Sequence, residues 1–133
     1  MNGINPSEPV EVDELDLALG GIWTVHSTSS TIYRLDLDSR MLRREPGTRS
    51  SPAPGDFQWV FLTQVHSLSV GDDDKLTVDP DQRDVITVGR RHLYMLSPPP
   101  ETSLTIRWWL QRIATRIIQR AAPGAPTVSN REA

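Results

Sequence analysis

Ile22-Trp-Thr-Val-His-Ser-Thr-Ser-Ser-Thr-Ile-Tyr-Arg-Leu-Asp-Leu-Asp38 is the stretch from which the fold can be read. Trp23 and Val25 alternate with Thr24 and His26, and Tyr33, Leu35 and Leu37 alternate with Arg34, Asp36 and Asp38. A period of two places one row of side chains in a core and the other in water, which is the signature of β-strands. Ser27 to Thr31 between them holds only Ser, Thr and their hydroxyls. Such residues bond their own backbone in turns but lack the Gly or Asn of a tight two-residue loop, so a looser turn of about four or five residues is expected. The stretch predicts a β-hairpin with one wet face.

The following residues extend the β pattern. Ser39 to Glu45 reads as a third strand, and Pro46 to Asp56, with three prolines and two glycines, as a surface loop. Phe57, Trp59 and Phe61 then face one way and Val60 and Leu62 the other, which predicts a central strand apolar on both faces. Apolar residues change phase between Val65 and Leu68, which predicts a bulge near His66 and Ser67. Gly71 to Lys75 is a turn, Leu76 to Val78 a short strand, and Pro80 to Asp84 a second turn. Val85 to Leu96 is either one bent strand or a hairpin, closed by Pro98 to Pro100. Upstream, Val12, Leu15 and Leu19 fall at helical spacing before Gly20 and Gly21, which predicts a short helix or turn.

Thr102 to Ala122 follows a different rhythm. Ile106, Leu110, Ile113 and Ile117 are spaced by four, three and four, Arg112, Arg116 and Arg120 recur at intervals of four, and Pro123-Gly124 supplies a stop. This spacing predicts a cationic amphipathic helix. Trp108 and Trp109 would point about 100° apart on it, so that one reaches outside the core face. The expected fold is therefore mainly β, a small antiparallel sandwich or partly open barrel with one C-terminal amphipathic helix. Its segments are an acidic N-terminal stretch over 1–20, a β-domain over 21–97, a Pro-rich spacer and helix over 98–122, and a disordered tail over 123–133.

The 133 residues suffice for one core, and 37% hydrophobic with 23% charged residues is an ordinary globular balance. There is no cysteine, which removes disulfides, thiol catalysis and Cys-ligated zinc. The start lacks a basic n-region and no apolar run is long enough to span a bilayer, so a cytoplasmic location is expected. Net charge is −3, yet residues 1–19 carry five acids and no base while residues 101–133 carry five arginines against Glu101 and Glu132. The two ends are electrically complementary.

No motif for catalysis stands out. His26, His66 and His92 lie on three separate strands without a metal-ligand spacing, and Asp72 to Asp74 lack the Gly and Glu of a calcium loop. Asp36, Asp38 and Glu45 sit on a wet face, where carboxylates stay ionised, and neither a Gly-rich phosphate loop nor a nucleophile elbow occurs. No catalytic, cofactor-binding or metal-binding residue is assigned, no cofactor is implied, and the expected role is non-enzymatic.

Trp23-Thr-Val25, Ser30-Thr-Ile-Tyr33-Arg-Leu35-Asp36 and Arg43 or Arg44 ahead of Pro46-Gly47 resemble the opening of a group of small uncharacterised β-rich proteins of actinobacteria and their phages. The resemblance covers about 25 residues and implies no activity. The C-terminal helix falls outside it, and it is the cationic amphipathic pattern of that helix that leads to the expectation of an accessory protein meeting a protein partner or another copy of itself. Ile106, Trp108, Trp109, Leu110, Ile113 and Ile117 would bury apolar area there, and Arg112, Arg116 and Arg120 would orient the contact. An anionic membrane surface is the alternative partner of the same helix. A third reading is a ligand-binding or hydrolytic β-barrel with a cavity lined by Tyr33, Trp59 and a histidine. Overall acidity, with a pI near 5.5, argues against nucleic acid.

Overall fold

The structure, a computed structural model, describes residues 10–119. Eleven strands follow one another: β1 (Val10–Val12), β2 (Glu14–Asp16), β3 (Ile22–Ser27), β4 (Ile32–Asp36), β5 (Met41–Glu45), β6 (Trp59–Val70), β7 (Leu76–Arg83), β8 (Val85–Thr87), β9 (Arg91–Ser97), β10 (Trp108–Gln111) and β11 (Ala114–Gln119). Nine form one antiparallel sheet in the order β1-β11-β3-β4-β5-β6-β9-β10, with β7 beside β6, and β2 pairs with β8 apart from it. The expected hairpin is β3-β4, with Val25 opposite Tyr33 and Trp23 opposite Leu35 across a four-residue turn, 28–31.

The alternation at β3 and β4 fixes what lies inside. Trp23, Val25, Tyr33 and Leu35 are buried, and they meet Leu42 of β5, Val60, Leu62 and Val65 of β6, and Tyr94 and Leu96 of β9. Fully burying side chains of this size stabilises the fold by roughly 1.5–3 kcal/mol each. Leu15 and Leu17, with Ile86 of β8, close one end of this core. A three-residue 3-10 turn, Leu17–Leu19, stands where a short helix or turn was expected, capped by the Asp16 carboxylate on the Ala18 N–H. Upstream of it the segment forms the two short strands β1 and β2.

β6 is the central strand, bordered by β9 on one edge and successively by β5 and β7 on the other. Its pairing is irregular at two places, against β9 between Leu62 and Gln64 and against β7 between His66 and Leu68. The second falls where the sequence places a bulge, but the extra residues belong to β7: β6 runs unbroken against β9 from Val65 to Leu68, so Leu68 faces the side opposite Val65. Residues Pro80 to Arg83, expected to turn, stay in β7, because Asp79 to Gln82 bow out of register between the Leu68–Val78 and His66–Arg83 pairs. An edge strand that bows away from its partner tolerates proline. Val85 to Leu96 makes no hairpin with itself: β8 pairs with β2 and β9 with β6, on either side of a turn at Gly89.

The expected C-terminal amphipathic helix is absent. Among the described residues, Thr102 to Gln119 contain no helix, and their two strands complete the sheet. β10 pairs with β9 (Trp109 opposite Tyr94) and β11 with β3 (Ile117 opposite Val25). The inward row is Trp109, Gln111, Ala114 and Ile117. A break at Arg112-Ile113 and a bulge between Ala114 and Arg116 shift that row out of strict alternation. Interrupted in this way, a period of two yields spacings of two, three and three, which imitate a helix. Aromatic and β-branched residues also favour strands, and the exposed edges of β9 and β3 supply the pairing that decides between the two. At the break the chain passes from one end of the sheet to the other: Ala114 exchanges hydrogen bonds with the Gly89-Arg90 backbone, and Thr28 N–H donates to the Ile113 carbonyl. Arg120 and the tail over 123–133 lie outside the described residues.

Candidate functional site

The residues assigned to a partner-binding helix divide between the two faces of the sheet. Trp109 and Ile117 are core. Trp109 packs beside Tyr33, with ring centroids 6.4 Å apart, and its Nε1–H donates to the Pro54 carbonyl at 3.2 Å. Ile106 is half-buried against the same core and touches the backbone of Gly55, where a Cβ would stand 2.5 Å from Ile106 Cδ1. Arg116 faces outward and holds Glu11 through two guanidinium contacts of 3.0 and 3.2 Å, so the opposite charges of the two chain ends meet within the fold. That pair is fully exposed, and the Arg116 guanidinium holds the Glu11 carboxyl below its ordinary pKa. Trp108, Ile113 and Arg112 remain exposed, and Leu110 is half-buried on the outer face.

Trp108 and Leu110 are not isolated there. The register sets Trp108 beside Met95, and Leu110 beside Leu93. Next to β9, β6 presents Leu68, and β7 presents Val78 and Leu76. These side chains line a shallow apolar hollow of about 350 Å³ on the outside of the four-stranded β7-β6-β9-β10 strip. Trp108 is 56% exposed, Val78 45% and Leu76 37%. A contiguous outer apolar surface of this kind is what distinguishes contact faces from ordinary surface, where apolar residues are scattered singly. Its margins carry opposite charge: Asp72 to Asp74 at the β6-β7 turn on one side, and Arg107 ahead of β10 on the other.

The interior holds a polar group that the sequence reading missed. His92, Tyr94 and Gln111 are buried together. Thr87 N–H donates to His92 Nε2 at 3.0 Å, so Nδ1 carries the proton and gives it to Gln111 Oε1 at 2.8 Å. The same oxygen accepts from the Tyr94 hydroxyl at 2.9 Å. Burial pushes the His92 imidazole down to about 4, against a smaller opposing effect of Gln111, and raises the Tyr94 phenol well above its ordinary value. Both groups are therefore neutral at pH 7, suited to holding the interior in register. The signal was present in the alternation of His92, Tyr94 and Leu96, which puts all three on one face.

The other proposed ligands and catalytic groups do not converge. His26 lies on β3 beside Arg116, His66 is half-buried on the face of β6 opposite His92, and no group of three His, Asp or Glu side chains suited to a metal occurs among the described residues. Tyr33 is inside the sheet while Trp59 is outside it, so the cavity drawn from those two side chains and a histidine is not formed. Glu45 is engaged by Arg34 at 2.9 Å and Arg43 at 3.0 Å. No helix among the described residues is long and apolar enough to cross a membrane. Compared with family models, curated proteins and solved structures, the chain matches none.

Proposed function

We propose that this protein is a non-enzymatic association module whose outer β7-β6-β9-β10 face pairs with a second copy of the chain. The observation that carries this is the continuous apolar hollow of Leu68, Leu76, Val78, Leu93, Met95, Trp108 and Leu110, lying open on the sheet. An isologous contact requires a self-complementary surface, and the charge arrangement meets that need. A two-fold axis through the middle of the strip sets the Asp72–Asp74 turn of each copy against Arg107 of the other. Trp108 is the anchor, since a large, exposed aromatic side chain contributes most when buried at the centre of a contact. The partner reading is thereby moved from the expected helix to a sheet face. The membrane alternative loses the amphipathic helix from which it was argued.

Light scattering on a size-exclusion column tests the proposal with the full chain, Trp108→Glu and Val78→Arg. Both substituted side chains are exposed, so each variant should keep its fold, checked by circular dichroism. The expected result is a dimer for the parent chain and monomers for the variants. A monomeric parent at its highest soluble concentration, or folded variants that stay dimeric, refutes it.

A further inference from the structure

Beside the apolar face, on the far side of Leu110, lies a second hollow of different chemistry. It has a volume of about 350 Å³, and Arg44, Arg49, Arg91 and Arg112 line it together with Tyr33, Ser50 and Ser51. No carboxylate lines it. These arginines come from four places in the chain: Arg44 from β5, Arg49 from the loop after it, Arg91 from β9 and Arg112 from the break between β10 and β11. Among the described residues Arg44 alone of the four is neutralised, by Asp56 at 2.6 Å, and it lies against the Tyr33 hydroxyl. Arg91 gives its Nε–H to the Gln111 carbonyl at 3.2 Å, which leaves its terminal nitrogens for the hollow. Burial and the nearby Arg112 guanidinium depress the Arg91 pKa, as expected where like charges are gathered without a counter-ion.

The wall of this hollow is built rather than loose. Ser50 Oγ accepts from Thr31 Oγ1 at 2.6 Å, donates to the Ser29 carbonyl, and lies 3.2 Å from Ser30 Oγ. Arg49 N–H donates to Ser30 Oγ at 3.2 Å. Gly47 passes so close that a Cβ there would stand 2.6 Å from the Ser30 carbonyl oxygen. The β3-β4 turn and the loop after β5 are thereby stapled together, which holds the Arg49 backbone in place before any ligand arrives. Pre-set donors lose less on binding than donors that must be gathered.

We propose that this basin binds a diphosphate group of a small soluble molecule. Three guanidiniums without a carboxylate partner among the described residues match the charge of a diphosphate better than that of a single phosphate, and guanidinium forks suit phosphate oxygens geometrically. The recessed shape limits the occupant to a small group and disfavours an extended nucleic acid strand, which would need a basic groove continuing beyond the basin.

Isothermal titration of the full chain with inorganic pyrophosphate, orthophosphate, a nucleoside diphosphate and a short single-stranded oligonucleotide tests this. Pyrophosphate and the nucleoside diphosphate are expected to bind saturably, one per chain, and more tightly than orthophosphate. Arg112→Gln and Arg49→Gln, both at exposed side chains, should each weaken binding about tenfold. Arg116→Gln, which removes the same charge elsewhere, should leave it unchanged. Absence of saturable pyrophosphate binding up to about 1 mM, a range corresponding to only weak affinity, overturns the proposal. So does an equal loss in Arg116→Gln, which reduces the effect to net charge, or binding of the oligonucleotide without pyrophosphate.

Discussion

Acidification should destabilise this fold through His92. In the folded chain the imidazole is neutral, buried, and fixed between the Thr87 N–H and Gln111 Oε1, with its pKa held down to about 4 against an ordinary value of 6.5. The unfolded state therefore takes up a proton at a higher pH than the folded state does. The stability contributed by keeping His92 neutral is fully present above about pH 6.5 and is lost as pH falls towards about 4. A displacement of this size, at about 1.4 kcal/mol per pH unit, corresponds to about 3 kcal/mol. That is a large share of the roughly 5–15 kcal/mol that holds a domain folded. Urea unfolding at intervals from pH 8 to pH 4 measures it, with His92→Gln alongside to remove the ionisation while other groups titrate in common. The parent chain should lose about 3 kcal/mol more than the variant across this range. Independently, the His92 ring protons in the folded parent should show no titration between pH 8 and pH 5.5. Titration near 6.5, or parallel loss of stability in the two chains, would refute the reasoning.

Gln111→Leu leaves the Tyr94 hydroxyl and His92 Nδ1–H buried without an acceptor, and should cost about 3–5 kcal/mol by urea unfolding, of which adding Tyr94→Phe recovers about 1 kcal/mol. A double variant no more stable than Gln111→Leu counts against that account. A chain ending at Leu96 loses Trp109, Gln111, Ala114 and Ile117 from the interior and uncovers the edges of β3 and β9, so its amide spectrum should collapse to the narrow dispersion of an unfolded chain. A well-dispersed spectrum from the truncated chain would show that the last two strands are dispensable.

The legible parts of the fold were those where local pattern and tertiary environment agree. Trp23, Val25, Tyr33 and Leu35 alternate without interruption, and their strands pair through a short turn, so neighbours in sequence are neighbours in the sheet. The central place of β6 was legible from its long apolar run, although the row that made its second face apolar, Phe57, Trp59 and Phe61, is exposed. The C-terminal strands were not, since nothing within Trp108 to Gln119 reveals that β3, some ninety residues earlier, offers an open edge. The candidate sites divide in the same way. Trp108 and Leu110 were singled out as contact residues, but their companions Leu76, Val78 and Leu93 come from strands brought alongside by the topology. The arginine basin has no local signature at all, because its four guanidiniums are contributed by segments far apart in sequence.

The passage of the chain at Ile113-Ala114 from β9 to β3 sets the timing of folding during synthesis. β3 is made some ninety residues ahead of its partner β11. At roughly 5–20 residues per second, β3 waits several seconds or more with one edge uncovered. Its backbone donors and acceptors are then available to any strand that arrives sooner, including one from a neighbouring nascent chain. A polysome carrying several copies is the setting in which this open edge is most exposed to mispairing.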